Sequence, residues 1–368
     1  MAYNENKIVS AIRAFERGEI VVVTDDDDRE NEGDLIVAAA HCTEEKMAFI
    51  IRHTTGIVCA PMPKEEAQRF NLTPMVSENY STHRTQFTVT VDFKHGITTG
   101  ISAHDRTLAV RNLANANAGP DDFVRPGHIF PLIAHEGGVL MRSGHTEAAV
   151  DLCKLVGLPP VGVIGELVND DGSVKHGEEI TKFAQDHRLH MITVADLIAY
   201  RQRKETLIKH IGKMPIETSI GPAVVHSYQI PWEPIQHIAI IFGDICGGEN
   251  IPVWMHHENI LNDVFDQSLN ITAIMQQMIK KEKCGVFVYL REKSVRVNSM
   301  IDAQKMVKEG LENHVQAMKR EEEWHQIGLG AQILKHLGIR SIIVDAFKER
   351  HYIGLEGFGI RISKTSAL

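Results

Sequence analysis

Residues 24–34 read Thr-Asp-Asp-Asp-Asp-Arg-Glu-Asn-Glu-Gly-Asp, which places seven carboxylates and one arginine in eleven positions. A charge run of this kind is usually a solvated tail or turn. This one lies between two apolar runs, Ile20–Val23 and Leu35–Ala40, so we expect buried strands to hold its backbone at both ends. Asp, Glu and Asn are hard oxygen ligands that suit Mg²⁺ or Mn²⁺, and a divalent cation relieves repulsion among packed carboxylates. We therefore predict a metal and substrate site in preference to a solvated turn.

The length and composition indicate an ordinary globular protein of two domains, with 368 residues, 43% hydrophobic and 24% charged. A net charge of -9 argues against binding nucleic acid through a basic surface. No apolar run reaches the roughly 18 residues of a membrane span. The five cysteines form no CxxC pair, and the N-terminus lacks the apolar core of a signal peptide. These features predict a protein without disulfides in the cytoplasm.

Short apolar strands alternate irregularly with amphipathic helices, which predicts an α+β layered fold in each half of the chain. Neither a GxGxxG fingerprint nor a P-loop occurs. The predicted strands are Ile20–Val23, Gly56–Ala60 (closed by Pro61 and Pro63), Phe87–Val91, Val161–Leu167, Ile238–Phe242, Gly285–Leu290 and Ile339–Val344. The predicted helices are Lys7–Arg17, Glu44–Thr54, Asp105–Ala116, Thr146–Leu155, Ile192–Arg203, Ile271–Lys281, Met300–Glu323 and one that begins at Gly328.

Two further polar clusters accompany the acidic loop. In Arg142–Glu147, a glycine lets the backbone approach a ligand, and Thr146 stands at a predicted helix N-terminus whose free N–H groups favour phosphate. Arg142 adds a bidentate cation, and His145 is a borderline metal ligand. In Arg125–His128, proline and glycine are expected to form a turn that presents His128. Singly, each is more often an ordinary structural or surface residue. Together with the acidic loop, they predict a site that binds a phosphate, chelates a hydroxyketone through a metal and moves protons.

These motifs resemble those of 3,4-dihydroxy-2-butanone 4-phosphate synthase over about residues 7–201. The resemblance implies a lyase that converts D-ribulose 5-phosphate to L-3,4-dihydroxy-2-butanone 4-phosphate and formate in riboflavin biosynthesis. It also implies a divalent cation, Mg²⁺ or Mn²⁺, and a homodimer with sites near the subunit interface. The matching segments are Asp26–Asp34, Thr99–Arg106, Arg125–Leu132, Gly144–Glu147, Gly162–Leu167 and Asn169–Gly172.

The resemblance also implies a role for each matching residue. Glu30 and His145 would be the metal ligands. Glu32, His128 and Glu166 would be catalytic, with Glu166 also contacting the sugar. Cys59 matches a cysteine that the family places beside the substrate, and a small buried hydrophobe is an equally good interpretation of it. The substrate would be held by Arg29, Glu30, Asp34, Arg142, Ser143, Gly144, His145, Thr146 and Glu166, with Arg142 and Thr146 on the phosphate.

From about Ser219 onward, the chain resembles GTP cyclohydrolase II. The segments Gly243–Glu249, Val253–Glu258, Asp263–Phe265, Gly328–Leu334 and Leu355–Gly359 carry this resemblance. That enzyme holds zinc with three cysteines, and the corresponding positions here are Asn259, Asn270 and Thr272. Neutral oxygen ligands cannot replace three thiolates on zinc. The catalytic Arg-Asp-Tyr-Gly run of that family is also changed, to His325–Gly328.

We therefore predict a synthase domain over residues 1–203, a linker over 204–218 and a cyclohydrolase-like domain without zinc ligands over 219–368. Three hypotheses remain for the last domain. It is a folded but non-catalytic domain, which we prefer. It is a second enzyme with an altered, zinc-free chemistry. Or it is a regulatory module that still binds a nucleotide or a partner.

Overall fold

The computed structural model describes residues 5–25, 31–80, 85–259, 263, 272–273, 275–276, 279, 283–291, 328–345, 355 and 358–366. The chain forms two compact units, residues 1–200 and 201–368, and each has its own hydrophobic core. The predicted helix over residues 300–323 lies outside the described residues, and most of the one over 271–281 does too. No helix within the described ranges is long and apolar enough to cross a membrane.

Unit 1 is built from helices and strands in irregular alternation, as we predicted. The helices are α1 (Glu5–Glu16), α2 (Glu44–His53), α3 (Lys64–Arg69), α4 (Ala103–Leu113), α5 (His145–Leu155), α6 (Glu178–Asp186) and α7 (Val194–Lys204), which runs on past residue 200. The strands are β1 (Val21–Thr24), β2 (Gly33–Ala38), β3 (Cys59–Met62), β4 (Gln86–Phe87), β5 (Val91–Phe93), β6 (Phe123–Ile133), β7 (Gly162–Glu166) and β8 (His190–Thr193).

The sheet of unit 1 is mixed and lies between two helical layers. Its strand order is β4-β6-β3-β7-β2-β1-β8, with β5 paired to β6, and the pairs β1–β8 and β3–β6 are parallel. Helices α1, α5 and α7 pack on one face, and α2, α4 and α6 pack on the other. Because both faces are covered, β2 is buried along its whole length, as its continuous apolar run predicts.

Local sequence signals account for several element boundaries. Gly18 ends α1 with a positive φ of 86°. Thr43 caps α2 as predicted, since its hydroxyl accepts from the Lys46 N–H at 3.4 Å. In unit 2, the apolar run Gly285–Leu290 forms one strand with the predicted bounds. Continuous apolar runs and capping residues are therefore reliable signals in this chain.

The strand prediction at Gly56–Ala60 is wrong in its bounds, because β3 runs from Cys59 to Met62 and includes Pro61. Residues 58 and 62 bond to β6, through Phe130 N to Val58 O and Ala134 N to Met62 O. The backbone of Pro61 faces the other side, where β7 pairs with β3 only at Cys59. The sheet therefore loses no hydrogen bond through the missing N–H of Pro61.

Two other predictions need correction. The run Phe87–Val91 is not one strand, because Thr88 bridges to Pro74 and Val89 N bonds to Thr73 O, which separates β4 from β5. Residues 209–218, which we assigned to a linker, form a strand that pairs with its neighbour over its length. One face of that strand is exposed and the other is largely half-buried, so it lacks the buried apolar face that marks a strand in a sequence.

Unit 2 contains a second mixed sheet, ordered β15-β14-β12-β13-β11-β10-β9. Its strands are β9 (Lys209–Thr218), β10 (Gly221–Gln229), β11 (Gln236–Phe242), β12 (Ile251–His257), β13 (Gly285–Leu290), β14 (Ser341–Asp345) and β15 (Arg361–Ser366). The predicted helix that begins at Gly328 is present over residues 328–336, and its buried face packs on β12, β13 and β14. The α+β fold class is confirmed for both units.

Candidate active site

The two ends of the acidic loop are held by β1 and β2, as the flanking apolar runs predict. Thr24 pairs with Gly33, Asp25 N donates to Glu32 O at 3.3 Å, and Glu32 N donates to Asp25 Oδ1 at 2.9 Å. Asn31 has a positive φ of 54°, and its carbonyl lies 2.8 Å from Nδ1 of His176. Residues 26–30 lie outside the described residues, and they include Arg29 and Glu30.

Four of the predicted site residues share one face of the unit 1 sheet. Asp34 of β2 pairs with Glu166 of β7, and Cys59 pairs with Ile164, two residues before Glu166. Since side chains alternate along a strand, these side chains point to the same face. Helix α5 covers this face, and its first residue places His145 Nδ1 3.9 Å from Asp34 Oδ1. Asp34 and His145 are both buried, so the pair forms the inner wall of the site.

Cys59 lies beside these carboxylates as a neutral thiol. Burial raises the pKa of Cys59 far above its ordinary value, and the negative charges of Asp34 and Glu166 raise it further. The thiol therefore stays protonated near neutral pH and is a poor thiolate nucleophile. Its position at the predicted site agrees with the family pattern, while its protonation state is that of a packing residue.

The N-terminus of α5 carries a buried ion pair that the sequence did not reveal. Arg142 Nη1 donates to Glu147 Oε2 at 2.7 Å, and Arg142 Nη2 donates to Thr85 Oγ1 at 3.0 Å. The other oxygen of Glu147 accepts from the backbone N–H of His135 at 3.0 Å. A Cβ at Gly144 would lie 2.5 Å from Arg142 Nη1 and 2.7 Å from Glu147 Oε2. The glycine therefore makes room for this ion pair, whereas we expected it to admit a ligand.

The remaining predicted phosphate contacts lie in the same turn. Ser143 and Thr146 are buried, and Thr146 stands in the first turn of α5, where Gly144 is the N-cap and provides no side-chain cap. The first-turn N–H groups of a helix lack intrahelical acceptors and favour an anion. The turn thus has the groups that a phosphate site needs, beside the guanidinium of Arg142.

His128 lies in a bulge of β6 instead of the predicted turn. Asp92 pairs with Val124, while the residue before Asp92 pairs with Ile129, so Arg125–His128 are extra residues in β6. His128 Nδ1 lies 2.7 Å from Asp92 Oδ2, and the backbone N–H of His128 donates to Asp92 Oδ1 at 2.8 Å. The carboxylate is buried and the imidazole is 40% exposed, so the ring is fixed on one side and open on the other.

The loop before α4 packs against this pair. Asp105 accepts from Thr98 N (3.1 Å), Thr98 Oγ1 (2.8 Å) and Gly100 N (3.0 Å), and Ser102 caps α4. Burial alone would raise the pKa of Asp105, but these hydrogen bonds outweigh it and lower the pKa to about 2. Gly100 has a φ of 88°, and a Cβ there would lie 2.1 Å from Asp92 Oδ2. The Thr99–Arg106 motif therefore builds the wall behind Asp92 and His128.

The structure thus brings Asp34, Cys59, His145 and Glu166 together on one face. His128 lies in the bulge of β6, where strand alternation does not assign its side chain to a face of the sheet. Glu32 is half-buried at the entry to β2. Among the described residues, no three His, Cys, Asp or Glu side chains converge closely enough to hold a metal ion by themselves.

Sequence reasoning missed the partners of two site residues. Asp92 lies outside every motif quoted above. The sequence feature nearest to it is the Phe87–Val91 run, which ends one residue before it. Glu147 belongs to the quoted Gly144–Glu147 motif, but its pairing with Arg142 was not predicted. A groove of about 620 Å³ lies elsewhere in unit 1, between α2 and α4, and none of the predicted site residues lines it.

Comparison with known families matches both units. The family model described as 3,4-dihydroxy-2-butanone 4-phosphate synthase matches residues 9–200, and the model described as GTP cyclohydrolase II matches residues 209–367. The monofunctional riboflavin biosynthesis protein RIBA 2 of Arabidopsis thaliana is 44% identical over 362 residues, which are 97% of this chain and 75% of that protein. The bifunctional riboflavin biosynthesis protein RIBA 1 of the same plant is 41% identical over 372 residues, 97% of this chain and 68% of its own length.

Two solved structures are also similar. RibBX from A. baumannii, a two-domain 3,4-dihydroxy-2-butanone 4-phosphate synthase, has a TM-score of 0.81 at 31% identity and covers 98% of this chain and 99% of its own. A 3,4-dihydroxy-2-butanone 4-phosphate synthase in complex with two magnesium ions has a TM-score of 0.52 at 47% identity, and it covers 54% of this chain and 97% of its own.

The chain belongs to the 3,4-dihydroxy-2-butanone 4-phosphate synthase family, and its second unit belongs to the GTP cyclohydrolase II family. It is a 3,4-dihydroxy-2-butanone 4-phosphate synthase, a lyase of riboflavin biosynthesis.

Proposed function

We propose that the chain converts D-ribulose 5-phosphate to L-3,4-dihydroxy-2-butanone 4-phosphate and formate at a single site, in unit 1. The observation that carries this proposal is the convergence of Asp34, Glu166 and His145 on one sheet face, at the end where the acidic loop joins β2. Rearranging a phosphorylated ketose and expelling one carbon requires several proton transfers. A cluster of carboxylates and histidines in differing environments can supply them.

Substrate binding would use both ends of this cluster. Arg142 and Thr146 would bind the phosphate, supported by Ser143 and the first-turn N–H groups of α5. Glu147 holds the Arg142 guanidinium in place, so less ordering is needed when substrate binds. The hydroxyl and carbonyl groups would be held by Arg29, Glu30, Asp34, Gly144, His145 and Glu166.

Glu30 and His145 would hold a divalent cation, Mg²⁺ or Mn²⁺. The groups present fit such an ion, because a carboxylate oxygen of Asp34 lies 3.9 Å from His145 Nδ1, and the thiol of Cys59, whose pKa Asp34 and Glu166 raise, stays protonated. When bound, the cation supplies electrostatic stabilisation of negative charge that develops on substrate oxygens.

Glu32, His128 and Glu166 would transfer protons. Glu166 is exposed at the end of β7, next to buried Asp34, and can reach a bound sugar. His128 presents an imidazole whose Nδ1 is engaged by Asp92, so its Nε2 is the nitrogen available to substrate. Enolisation needs a base beside the carbonyl, and these groups provide the candidates.

We propose further that unit 2 is not a GTP cyclohydrolase and holds no zinc. Residues 201–368 contain two cysteines, Cys246 and Cys284, where a three-thiolate zinc site needs three. The relatives with monofunctional and bifunctional names differ little in identity, so identity alone does not decide between them. The alternatives are a bifunctional enzyme and a module that binds a nucleotide without turnover.

The quaternary structure would be a homodimer. Unit 1 exposes several large apolar side chains, among them Ile57, Met75, Val76, Tyr80 and Ile101, and exposed apolar surface often marks an interface. Sedimentation at micromolar concentration should give twice the mass of one chain, and a monomer would contradict this. The synthase domain of residues 1–203 and a cytoplasmic location stay predictions, whereas the cyclohydrolase-like domain has to include residues 209–218, which form β9 of its sheet.

The synthase proposal is tested by following formate release from ribulose 5-phosphate with the purified full-length chain. We expect activity with Mg²⁺ or Mn²⁺, loss of activity after chelation, and recovery when either cation is returned. Elemental analysis of the purified protein should find no stoichiometric zinc. Formate release that is indifferent to chelation would contradict the proposed metal dependence, and one zinc per chain would contradict the account of unit 2.

A further inference from the structure

We propose that Asp92 is a positioning residue for the synthase reaction. It holds the imidazole of His128 in the tautomer that carries its proton on Nδ1, so that Nε2 is free to accept a proton from substrate. This inference rests on the proposed catalytic role of His128.

The geometry of the pair carries the inference. One oxygen of Asp92 accepts the backbone N–H of His128 at 2.8 Å, and the other lies 2.7 Å from Nδ1 of the ring. A carboxylate can only accept hydrogen bonds, so in neutral imidazole the contact at Nδ1 requires the proton there. The same carboxylate therefore fixes the backbone, the ring orientation and the tautomer of His128.

The fold leaves this carboxylate little freedom. The bulge of β6 brings Gly127 so close to β5 that a Cβ would lie 2.1 Å from the carbonyl carbon of Val91. On the other side, a Cβ at Gly100 would lie 2.1 Å from Asp92 Oδ2 and 2.6 Å from His128 Nδ1. Two glycines on different segments thus allow the carboxylate and the ring to meet. Packing this tight is expected where an orientation has to be precise.

A buried cation accompanies the buried carboxylate. Burial lowers the pKa of Arg106, and the negative charge of Asp92 opposes that effect, so the two charges interact. Arg106 is almost fully buried in α4, and its Nη1 donates to Gly56 O at 2.9 Å. A buried carboxylate is costly unless it is paired and hydrogen-bonded. Asp92 therefore has the charge partner and the two donors that stabilise it beneath His128.

A purely structural role for Asp92 would be to close the bulge through the backbone N–H of His128. The variant Asp92→Asn separates the two roles. An amide oxygen can still accept the backbone N–H, but the amide NH₂ then faces Nδ1 of the ring and requires it to accept. The ring proton then moves to Nε2, so that this nitrogen can no longer accept a proton from substrate. A structural role predicts an ordinary variant, and a positioning role predicts the wrong tautomer.

The test measures the tautomer and the kinetics of the full-length protein. In ¹⁵N-histidine-labelled wild type at alkaline pH, where imidazoles are neutral, the His128 signals should show a protonated Nδ1; they are assigned by their loss in His128→Asn. In Asp92→Asn, the proton should move to Nε2, and kcat for formate release should fall about 10²–10⁴-fold with KM changed little. An Nε2-protonated ring in the wild type would overturn the inference, whether or not any variant folds.

Asp105→Asn is the matched control, because Asp105 is an equally buried carboxylate of the same wall that binds backbone N–H groups and no imidazole. It should lower the melting temperature without changing the His128 tautomer. If Asp92→Asn does not fold, Gly100→Ala should disturb the same contact with both residues retained. An unchanged tautomer in the folded variant, or a kcat within about threefold of wild type, would overturn the inference. If His128→Asn stays active, the proposed role of His128 fails, and the positioning role fails with it.

Discussion

Units 1 and 2 each contain a mixed sheet packed in an apolar core. They differ in how the polar side chains at the ends of their strands are arranged. In unit 1, Asp34, Glu166 and His145 meet beside the acidic loop. In unit 2, His256 Nε2 lies 2.8 Å from Asp263 Oδ1, and the Tyr289 hydroxyl donates to Asp263 Oδ2 at 2.7 Å. The backbone N–H of Asn259 also donates to Asp263, at 3.0 Å. The first cluster is the one to which we assign the substrate, whereas in the second the polar groups bind one another.

If unit 2 has no cyclohydrolase activity, as we propose, then a fold can outlast its chemistry. The core of unit 2 is spread over many apolar side chains on β11, β12, β13 and the helix at 328–336. Each contributes a small share of the free energy of folding, so replacing three cysteines would leave the sheet intact. A metal site depends on a few residues and is lost at once when they change. Similarity over a whole domain therefore indicates its fold, and individual ligands indicate its activity.

The largest expected effect is on the site of unit 1. Glu30→Gln or His145→Ala should abolish formate release, because each removes a proposed ligand of the cation. Both variants should keep the solution mass of the wild type and a similar melting profile. His95→Ala is the control, since its imidazole is exposed and pairs only weakly with Asp122 at 3.4 Å. Near-normal activity in either site variant would show that the metal assignment is wrong.

The second prediction would restore the missing feature of unit 2. The triple variant Asn259→Cys, Asn270→Cys, Thr272→Cys should bind about one zinc per chain, because three thiolates suffice with a water as the fourth ligand. GTP turnover should still be absent, since His325–Gly328 replaces the catalytic run of the family. Elemental analysis measures the zinc, with serine at the same three positions as the control. Failure to bind zinc would mean that these positions do not correspond to the family's ligands.

The third prediction concerns the ion pair behind the phosphate site. Glu147→Ala should lower the free energy of unfolding by about 3 kcal/mol, because it leaves the Arg142 guanidinium without its buried partner. Denaturant unfolding measures this, and KM for ribulose 5-phosphate should rise as Arg142 loses its fixed position. The exposed pair Arg17–Glu19 provides the control, and Glu19→Gln should cost less than about 1 kcal/mol. Equal costs would contradict the structural role of Glu147.

The smallest effect is a pH dependence of stability in unit 1. The pKa of Asp105 is about 2 in the folded chain, below its ordinary value near 4, so the unfolded chain binds this proton more readily. Its stabilising contribution is present above pH 4 and is lost as the pH falls toward 2. Asp105→Asn should remove that part of the acid dependence. If the denaturant midpoint of Asp105→Asn falls at low pH as steeply as that of the wild type, the hydrogen-bonded role of Asp105 is contradicted.

Much of the scaffold was predictable from local sequence. The runs at β2 and β13 and the cap at Thr43 depend on burial and hydrogen bonding within a few residues. Pro61 and the Phe87–Val91 run misled the prediction, because pairing with distant strands decides which backbone groups need partners. Residues 209–218 were missed as a strand because neither face is fully buried.

The sequence predicts the site as a set of residues and not as a set of contacts. The motifs identified Asp34, His145 and Glu166, and strand register then explains how they meet. Asp92 and the ion pair of Glu147 with Arg142 could not be foreseen, because each joins positions whose proximity depends on tertiary packing. Arg29 and Glu30 lie outside the described residues, and their roles stay predictions from the sequence.

The central claim is that one chain of two enzyme-family units carries one catalytic site. The most direct test incubates a single preparation of the full-length protein with ribulose 5-phosphate and Mg²⁺, and in parallel with GTP, Mg²⁺ and added zinc. We predict formate from ribulose 5-phosphate and no consumption of GTP. GTP turnover would contradict the account if that activity co-purifies with the chain and persists in the His145→Ala variant.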